Sequence, residues 1–122
     1  MDEQLALRLR LFKESGQARP AVVAFVEDEL NGLSAAGRTV TEETAGMLTS
    51  HLVMALTRLL DGEPIEPPLD EGQLAQELAD RPEAVEEARS IGRRAQEALG
   101  SGLPESEVSF LALHLAVLRT RS

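Results

Sequence analysis

The sequence has no cysteine, no tryptophan and no tyrosine, and it has only three phenylalanines. The lack of cysteine excludes disulfide bonds, thiol catalysis and cysteine-ligated metal sites. Because aromatic side chains are so few, the core must be built mainly from leucine, valine and alanine. The hydrophobic share is nevertheless 43%, which is typical of a globular protein, and a length of 122 residues predicts one domain with one core.

Positive charge is also scarce. The chain has a single lysine, Lys13, scattered arginines and a net charge of −9. Nucleic-acid binding needs clustered lysine and arginine to neutralise phosphates, so we expect no direct contact with nucleic acid and a protein partner instead. The chain begins with the acidic "MDEQ" and has no apolar run near the ~20 residues of a membrane helix. It therefore predicts a cytoplasmic protein without a membrane segment.

Apolar residues repeat at helical spacing, and no segment alternates apolar and polar residues as a strand would. The pattern predicts an all-α fold, a compact bundle of five helices with an extra short helix at the N-terminus. The predicted helices cover residues 2–13, 20–33, 41–61 and 70–79, a stretch that Asp80 caps and Gly100 ends, and residues 105–120. We divide the chain into an N-terminal helical extension, residues 1–19, and a helical domain, residues 20–122. The proline-rich "DGEPIEPPL" predicts an extended connection between the third and fourth helices.

His51 lies in the third predicted helix, within an apolar stretch. Successive residues of a helix are turned by about 100°, which puts His51 at the border between a leucine-rich arc and a polar side. Arg58 lies two turns further along. A border position allows one ring nitrogen to be fixed by a partner while the other stays reachable.

His114 lies near the end of the last predicted helix. This helix is apolar over most of its girth, which predicts a central helix with neighbours on several sides. The residues that share the stripe of His114 are Glu107, Phe110, Leu111, Val117, Leu118 and Arg121. Both histidines are followed by a leucine and, seven residues later, by an arginine.

Taken alone, each histidine is most simply a structural residue whose nitrogens bond a carbonyl or a water. A metal site would need further ligands, and neither H-E-x-x-H nor Glu-x-x-His spacing occurs, so the sequence predicts no metal and no cofactor. No nucleophile elbow or glycine-rich turn presents a catalytic serine. We therefore expect that the protein is not an enzyme.

Two longer segments favour a functional role. These are "LTSHLVMALTRLLDGEPIE" and "LADRPEAVEEARSIGRRAQEALGSGLPESEVSFLALHL". Together they resemble the phosphotransferase-system regulation domain, the PRD, of bacterial antiterminators and transcription activators of sugar-uptake genes. In that family a helix carries histidine and then arginine, and a proline-led helix, a short "lp-x-x-E" start and a second histidine follow. The matching residues are His51, Arg58, Pro82, Leu103, Pro104, Glu107 and His114, within a resemblance that runs from about residue 20 to residue 119.

The resemblance implies a five-helix module that forms a homodimer. It implies that His51 and His114 accept a phosphoryl group from the histidine phosphocarrier protein or from the B component of a sugar permease. A phosphoryl group makes a neutral imidazole dianionic and in need of donors. We therefore expect Arg58 to contact phosphate on His51, and Arg121 to contact phosphate on His114.

Regulators of this family carry an RNA-binding or DNA-binding domain ahead of their regulation domains, whereas about 19 residues precede the resemblance here. We therefore expect a stand-alone PRD that acts in trans on an effector protein, in the control of carbohydrate uptake or of its gene expression.

The sequence also departs from the family. Ser50 stands where the family commonly has aspartate before its first histidine, Ala84 and Val85 lie near a usual tyrosine, and no asparagine follows the second histidine. These departures leave an alternative open. In it the protein is a helical binding or dimerisation module that is not phosphorylated and whose histidines are structural.

Overall fold

The computed structural model describes residues 2–63 and 71–121, with the backbone alone described for residues 71 and 121. Within these ranges every regular element is a helix: α1 Glu3–Glu14, α2 Pro20–Ala35, α3 Glu42–Leu60, α4 Glu71–Leu78, α5 Pro82–Leu99 and α6 Glu105–Arg121. The all-α prediction is confirmed for these residues, and each helix ends within two residues of its predicted position. Most of the predicted extended connection, at residues 64–70, lies outside the described residues.

Side chains that bond free backbone N–H groups define where two of the helices begin. Asp2 precedes α1, and its carboxylate accepts a hydrogen bond of 3.2 Å from the Leu5 N–H. Thr41 precedes α3 and forms a capping box with Thr44. The Thr44 N–H donates to the Thr41 hydroxyl at 3.3 Å, and the Thr41 N–H donates to the Thr44 hydroxyl at 3.0 Å. Such caps satisfy donors that the first turn of a helix leaves free.

The prediction that Asp80 caps α5 is wrong. The residue before the helix is Arg81, and its side chain makes no capping hydrogen bond. Pro82 is the first helical residue, and a proline disfavours helical geometry in the residue before it, so Arg81 takes φ −129° and the helix begins at the proline. At the other end, Gly100 follows α5 with φ +80°, as predicted, because glycine adopts this left-handed conformation without steric cost.

The core is aliphatic apart from one phenylalanine and draws on all six helices of the described ranges. The largest side chains that are fully buried, ordered by chain position, include Leu5, Val22, Val26, Leu30, Val53, Leu56, Ile91, Leu115 and Leu118, and α4 adds Leu74 and Leu78. Burying one such leucine stabilises the fold by about 1.5–3 kcal/mol. Leu5 and Leu9 of α1 belong to this same core. The division of the chain into an extension and a domain at residue 19 stays a prediction.

Helix α6 packs against α3, α4 and α5, which confirms the prediction of a central helix with several neighbours. Its buried face includes Leu111, Leu115 and Leu118. Helix α1 packs against α2 and α3 on another side of the bundle. Within the described ranges, no helix is both long enough and apolar enough to cross a membrane.

Candidate functional site

The first predicted site residue, His51, lies in the middle of α3. Leu48, Leu52 and Leu56 of this helix are buried in the core. His51 lies beside that row and keeps 31% of its side chain exposed. The predicted border position is therefore the observed one, and it follows from the angular offset between His51 and the leucines.

The second predicted site residue, His114, lies on α6 and is half-buried. One side of this helix faces the core and carries Leu111, Leu115 and Leu118. Another side lies nearer the surface and carries Phe110 and Val117. His114 lies between these two sets on the helix. The packing of α3 against α6 then places the faces that carry the two histidines next to each other.

A short hydrogen bond joins the two helices at this place. Nε2 of His51 lies 2.7 Å from Oε2 of Glu107, in the first turn of α6. The Glu107 side chain is only 7% exposed. Its second oxygen, Oε1, is buried and has no hydrogen-bond partner. A buried carboxylate costs free energy unless it is paired, so His51 is the group that compensates Glu107.

Phe110 connects the two imidazole rings. Its ring centroid lies 4.1 Å from that of His51, with 33° between the planes, and 4.7 Å from that of His114, with 52° between the planes. Interacting aromatic pairs have centroid separations of about 4.5–7 Å, so the Phe110–His114 separation lies at the short end of this range and the His51–Phe110 separation is shorter still. The order His51, Phe110, His114 therefore forms one continuous row of rings across the α3–α6 contact, which we call the ring row.

The environment of His114 disfavours its protonated form. Burial lowers the pKa of His114 below its ordinary value, and the nearby His51 lowers this pKa further. The neutral form of His114 is thus favoured over its protonated form more than in an exposed histidine, whereas His51 has a carboxylate at hydrogen-bond distance. The two histidines have different surroundings although their sequence neighbourhoods are alike.

The structure gives less information on the two arginines that are predicted to contact phosphate. Arg58 lies on α3 with its guanidinium 3.9 Å from the Glu63 carboxylate, 40% of its side chain exposed and its Nε buried without a hydrogen-bond partner. The side chain of Arg121 lies outside the described residues. The structure thus leaves both proposed contacts as predictions.

The position before His51 has a partner that the sequence did not reveal. Nη1 of Arg8, on α1, donates a hydrogen bond of 2.7 Å to the hydroxyl of Ser50. The same guanidinium pairs with Glu42 in the first turn of α3. Arg8 therefore ties α1 to the helix that carries His51, through the residue where the family commonly has aspartate.

Exposed apolar side chains lie one helical turn away from each histidine. Met47 and Met54 lie one turn before and one turn after His51 and are 78% and 38% exposed. Val117, one turn after His114, is 43% exposed. A polar group is the usual occupant of such positions on a solvated helix. We call Met47, Met54 and Val117 the apolar border of the site.

Glu107 and Phe110 are the residues of the site that were not assigned a role from the sequence. Both belong to the stripe of His114, and Glu107 also matches the family's "lp-x-x-E" start. That signal marked them as neighbours of His114. It carried no information on their contact with His51, which lies 56 residues from Glu107 along the chain.

A cleft of about 940 Å³ lies between α2 and α5, and neither histidine lines it. Across residues 2–63 and 72–120, no group of three or more histidine, aspartate or glutamate side chains is arranged to hold a metal ion. The two imidazoles, the buried carboxylate and the apolar border are the chemical features that the site offers.

A family model described as the PRD domain matches residues 34–118 of the 122-residue chain. The match begins in the last turn of α2, later than the start expected near Pro20, and it includes both histidines. The resemblance inferred from the two sequence segments is confirmed over these residues. No curated protein and no solved structure is significantly similar to the chain.

Proposed function

The chain belongs to the PRD domain family, a family of regulatory domains of the phosphotransferase system, and from that premise we propose that it is a module switched by histidine phosphorylation. Its phosphoryl donors are the histidine phosphocarrier protein or the B component of a sugar permease, both in the cytoplasm. Its role is regulatory and not catalytic. The observation that carries the proposal is the ring row, since two imidazoles 4.1 Å and 4.7 Å from one phenylalanine share one surface that a donor protein can approach.

His51 is the better acceptor of the two. Its side chain is 31% exposed, and a carboxylate is available to compensate positive charge on its ring. His114 is half-buried, and burial lowers its pKa. A donor protein must reach the accepting nitrogen directly, so His114, whose burial lowers its pKa, should be phosphorylated more slowly than His51.

A phosphoryl group on His51 would place a dianion close to the buried carboxylate of Glu107. Two negative groups in a poorly solvated site repel, and the phosphoryl oxygens need donors. Arg58 is the proposed hydrogen-bond donor to the phosphoryl oxygens, because its Nε has no hydrogen-bond partner. Its Nη2 lies 3.9 Å from the carboxylate of Glu63, and an ion pair with a side chain that is 72% exposed is weak. Arg121 has the same proposed role for His114. The expected result is a shift of α3 against α6 when phosphate is bound.

The apolar border supports a homodimer that buries this surface. Met47, Met54 and Val117 are exposed and lie one helical turn from a histidine, and burying them against a second copy would remove their apolar area from water. Phosphorylation would then change the stability of the dimer, because it adds charge to an apolar contact. We propose that an effector protein reads this change and so links the module to carbohydrate uptake or to expression of its genes. The net charge of −9 disfavours nucleic acid as the direct target.

The proposal is tested by incubating the protein with phosphoenolpyruvate, the general phosphotransferase enzymes and each candidate donor, and then measuring intact mass. We expect an acid-labile gain of one phosphoryl group that disappears in His51→Ala and persists, at least in part, in His114→Ala. Absence of any gain with every carrier and permease B component would refute phosphorylation. Analytical ultracentrifugation of Met47→Glu, with Leu11→Glu as the control at another exposed apolar residue of 55% exposure, tests the dimer surface.

A second candidate function remains, and one observation favours it. The His51–Glu107 hydrogen bond already satisfies a buried carboxylate, which is what a purely structural histidine would do. In this case the module binds its partner without phosphorylation. It then shows no mass gain, and His51→Gln, which retains hydrogen-bonding capacity, leaves partner binding unchanged.

A further inference from the structure

Glu107 has features that its packing does not explain. It is a carboxylate with 7% exposure, one oxygen on His51 and one oxygen without a partner, inside a protein that already carries a net charge of −9. Glu107 lies in the first turn of α6, where the helix dipole stabilises negative charge. A residue of this kind is costly for stability and therefore points to a role in the chemistry of its partner.

The hydrogen bond determines which nitrogen of His51 carries the proton. An ionised carboxylate can only accept, so Nε2 must donate its N–H to Oε2 at 2.7 Å. A neutral imidazole has one proton, and the other nitrogen, Nδ1, then has a free lone pair. His51 has no other hydrogen-bond partner in the described part of the chain, and Nδ1 is not among the buried atoms that lack a partner there. Nδ1 therefore keeps some contact with solvent, and its lone pair has no partner within the described part of the chain.

We propose that Glu107 is a positioning residue that holds His51 in the Nε2–H form, so that the phosphoryl group is transferred to Nδ1. The proposal rests on the proposed function, because it presumes that His51 is the acceptor. Phe110, from the same helix, holds the ring plane at 33° to its own and limits rotation away from Glu107. Helix α6 therefore orients the reactive ring of α3.

The transfer step balances without any further reactant. The Nδ1 lone pair of His51 attacks the phosphorus of the donor's phosphohistidine, an N–P bond forms, and the donor's N–P bond breaks with its electron pair returning to the donor imidazole. No proton needs to leave His51, since Nδ1 carried none. The ring of His51 becomes positively charged as the bond forms, with its proton kept on Nε2. Glu107 stabilises that charge, in the way that a buried carboxylate stabilises the imidazolium of a catalytic histidine.

Two variants separate the parts of this role. Glu107→Leu removes both the acceptor and the charge, so His51 should populate both tautomers, phosphorylate at both nitrogens and react more slowly, by roughly ten- to hundredfold, the range for loss of a charge-assisted hydrogen bond. Glu107→Gln keeps the shape and an acceptor oxygen but loses the charge. It should still favour Nδ1 and react more slowly than the native protein. Glu105→Gln is the control, because Glu105 lies two residues earlier on α6, is 68% exposed and pairs with Arg89.

The measurement has two stages, both on the full chain. Long-range ¹H–¹⁵N correlation spectra of the unphosphorylated protein report the imidazole tautomer and should show Nε2–H for His51 in the native protein and in Glu105→Gln. After phosphorylation with the histidine phosphocarrier protein and phosphoenolpyruvate, the same spectra identify the phosphorylated nitrogen, and mass spectrometry against time gives the rate. The Gln variant decides the question if the Leu variant does not fold by circular dichroism.

The outcomes are distinct. Phosphate on Nε2 of His51, or an Nδ1–H tautomer in the native protein, overturns the role of Glu107 while the proposed function stands. Equal rates in the native protein, Glu107→Gln and Glu105→Gln overturn the electrostatic part. No phosphorylation of His51 by any donor removes the proposed function, and this inference with it. Phosphate on Nδ1 with the predicted order of rates supports both.

Discussion

Replacement of His51 by alanine should destabilise the protein more than replacement of His114, although both histidines are half-buried. His51→Ala removes the hydrogen-bond partner of a carboxylate that is 7% exposed and whose other oxygen already lacks a partner. His114→Ala removes a ring with no hydrogen bond recorded among the described residues, and it loses mainly the contact with Phe110. The difference between the two variants therefore measures what the buried carboxylate costs when it is left alone.

The expected magnitude follows from the geometry. Removing the hydrogen-bond partner of a buried acceptor costs about 1–3 kcal/mol, and more when the acceptor is charged. His51 is 31% exposed, so water can enter the vacated space and solvate Oε2, which lowers that cost to about 2 kcal/mol. Losing the ring contact with Phe110, at 4.1 Å, adds about 0.5–1.5 kcal/mol. We therefore expect about 3 kcal/mol for His51→Ala and about 1 kcal/mol for His114→Ala.

A double-mutant cycle with Glu107→Leu gives the sharper measurement. Leucine in place of Glu107 removes the carboxylate and its unpartnered oxygen, so this variant should cost less than His51→Ala, and the double variant should be more stable than His51→Ala alone. The assay is urea unfolding at neutral pH followed by far-UV circular dichroism, since the chain has no tryptophan or tyrosine to give a fluorescence signal. If His51→Ala costs no more than His114→Ala, or if Glu107→Leu restores nothing in the double variant, the carboxylate is not compensated by His51 and the reasoning fails.

Three further measurements test other parts of the structure. Burial, and then the nearby His51, lowers the pKa of His114 in the folded protein. Because the pKa of His114 is lower in the folded protein than in the unfolded chain, the unfolded chain takes up the proton first. The contribution of neutral His114 to the free energy of unfolding is therefore complete above the unfolded-state pKa of about 6.5 and is lost as pH falls below it. Urea midpoints should show this loss, and His114→Leu should reduce it; an unchanged profile would contradict the burial argument. Leu115→Ala, at 0% exposure, should cost about 2–5 kcal/mol in the same assay, whereas Leu11→Ala, at 55% exposure, should cost less than about 0.5 kcal/mol; similar costs would place Leu115 outside the core. Thr41→Ala removes one half of the capping box of α3 and should cost about 1 kcal/mol, with faster hydrogen exchange at the Thr44 amide; unchanged exchange would mean that water replaces the cap.

Helix positions were predictable because the forces that begin and end a helix act within one turn. Thr41 as a cap and Gly100 as a stop were both inferred from the sequence, and both have these roles in the structure. The same locality explains the one error of this kind. Asp80 is a good capping residue, but Pro82 must be at the first helical position, and this leaves Arg81 as the residue before the helix. The preference of aspartate for the capping position and the preference of proline for the first helical position could not both be met, and the helix begins at the proline.

The site was predictable in part. The border position of His51 follows from angular spacing on one helix, and the match to the PRD domain family followed from residues in two segments. The partners of the site residues did not follow. Nothing in the sequence near His51 indicated Glu107, 56 residues away, or the hydrogen bond from Arg8 on α1 to Ser50. These contacts depend on how three helices pack, and periodicity does not contain that information.

The amino-acid sequence by itself determined that this protein is helical, that its core is aliphatic, that its charge is strongly negative and that His51 lies at the edge of a buried face. Each of these follows from composition or from interactions over three or four residues. Only the tertiary structure decided that the two histidines share one phenylalanine and that a single carboxylate occupies one nitrogen of one of them. A hydrogen bond of 2.7 Å requires α3 and α6 to be rotated and spaced to within a fraction of an ångström, and the close packing of the leucines beneath them sets that spacing.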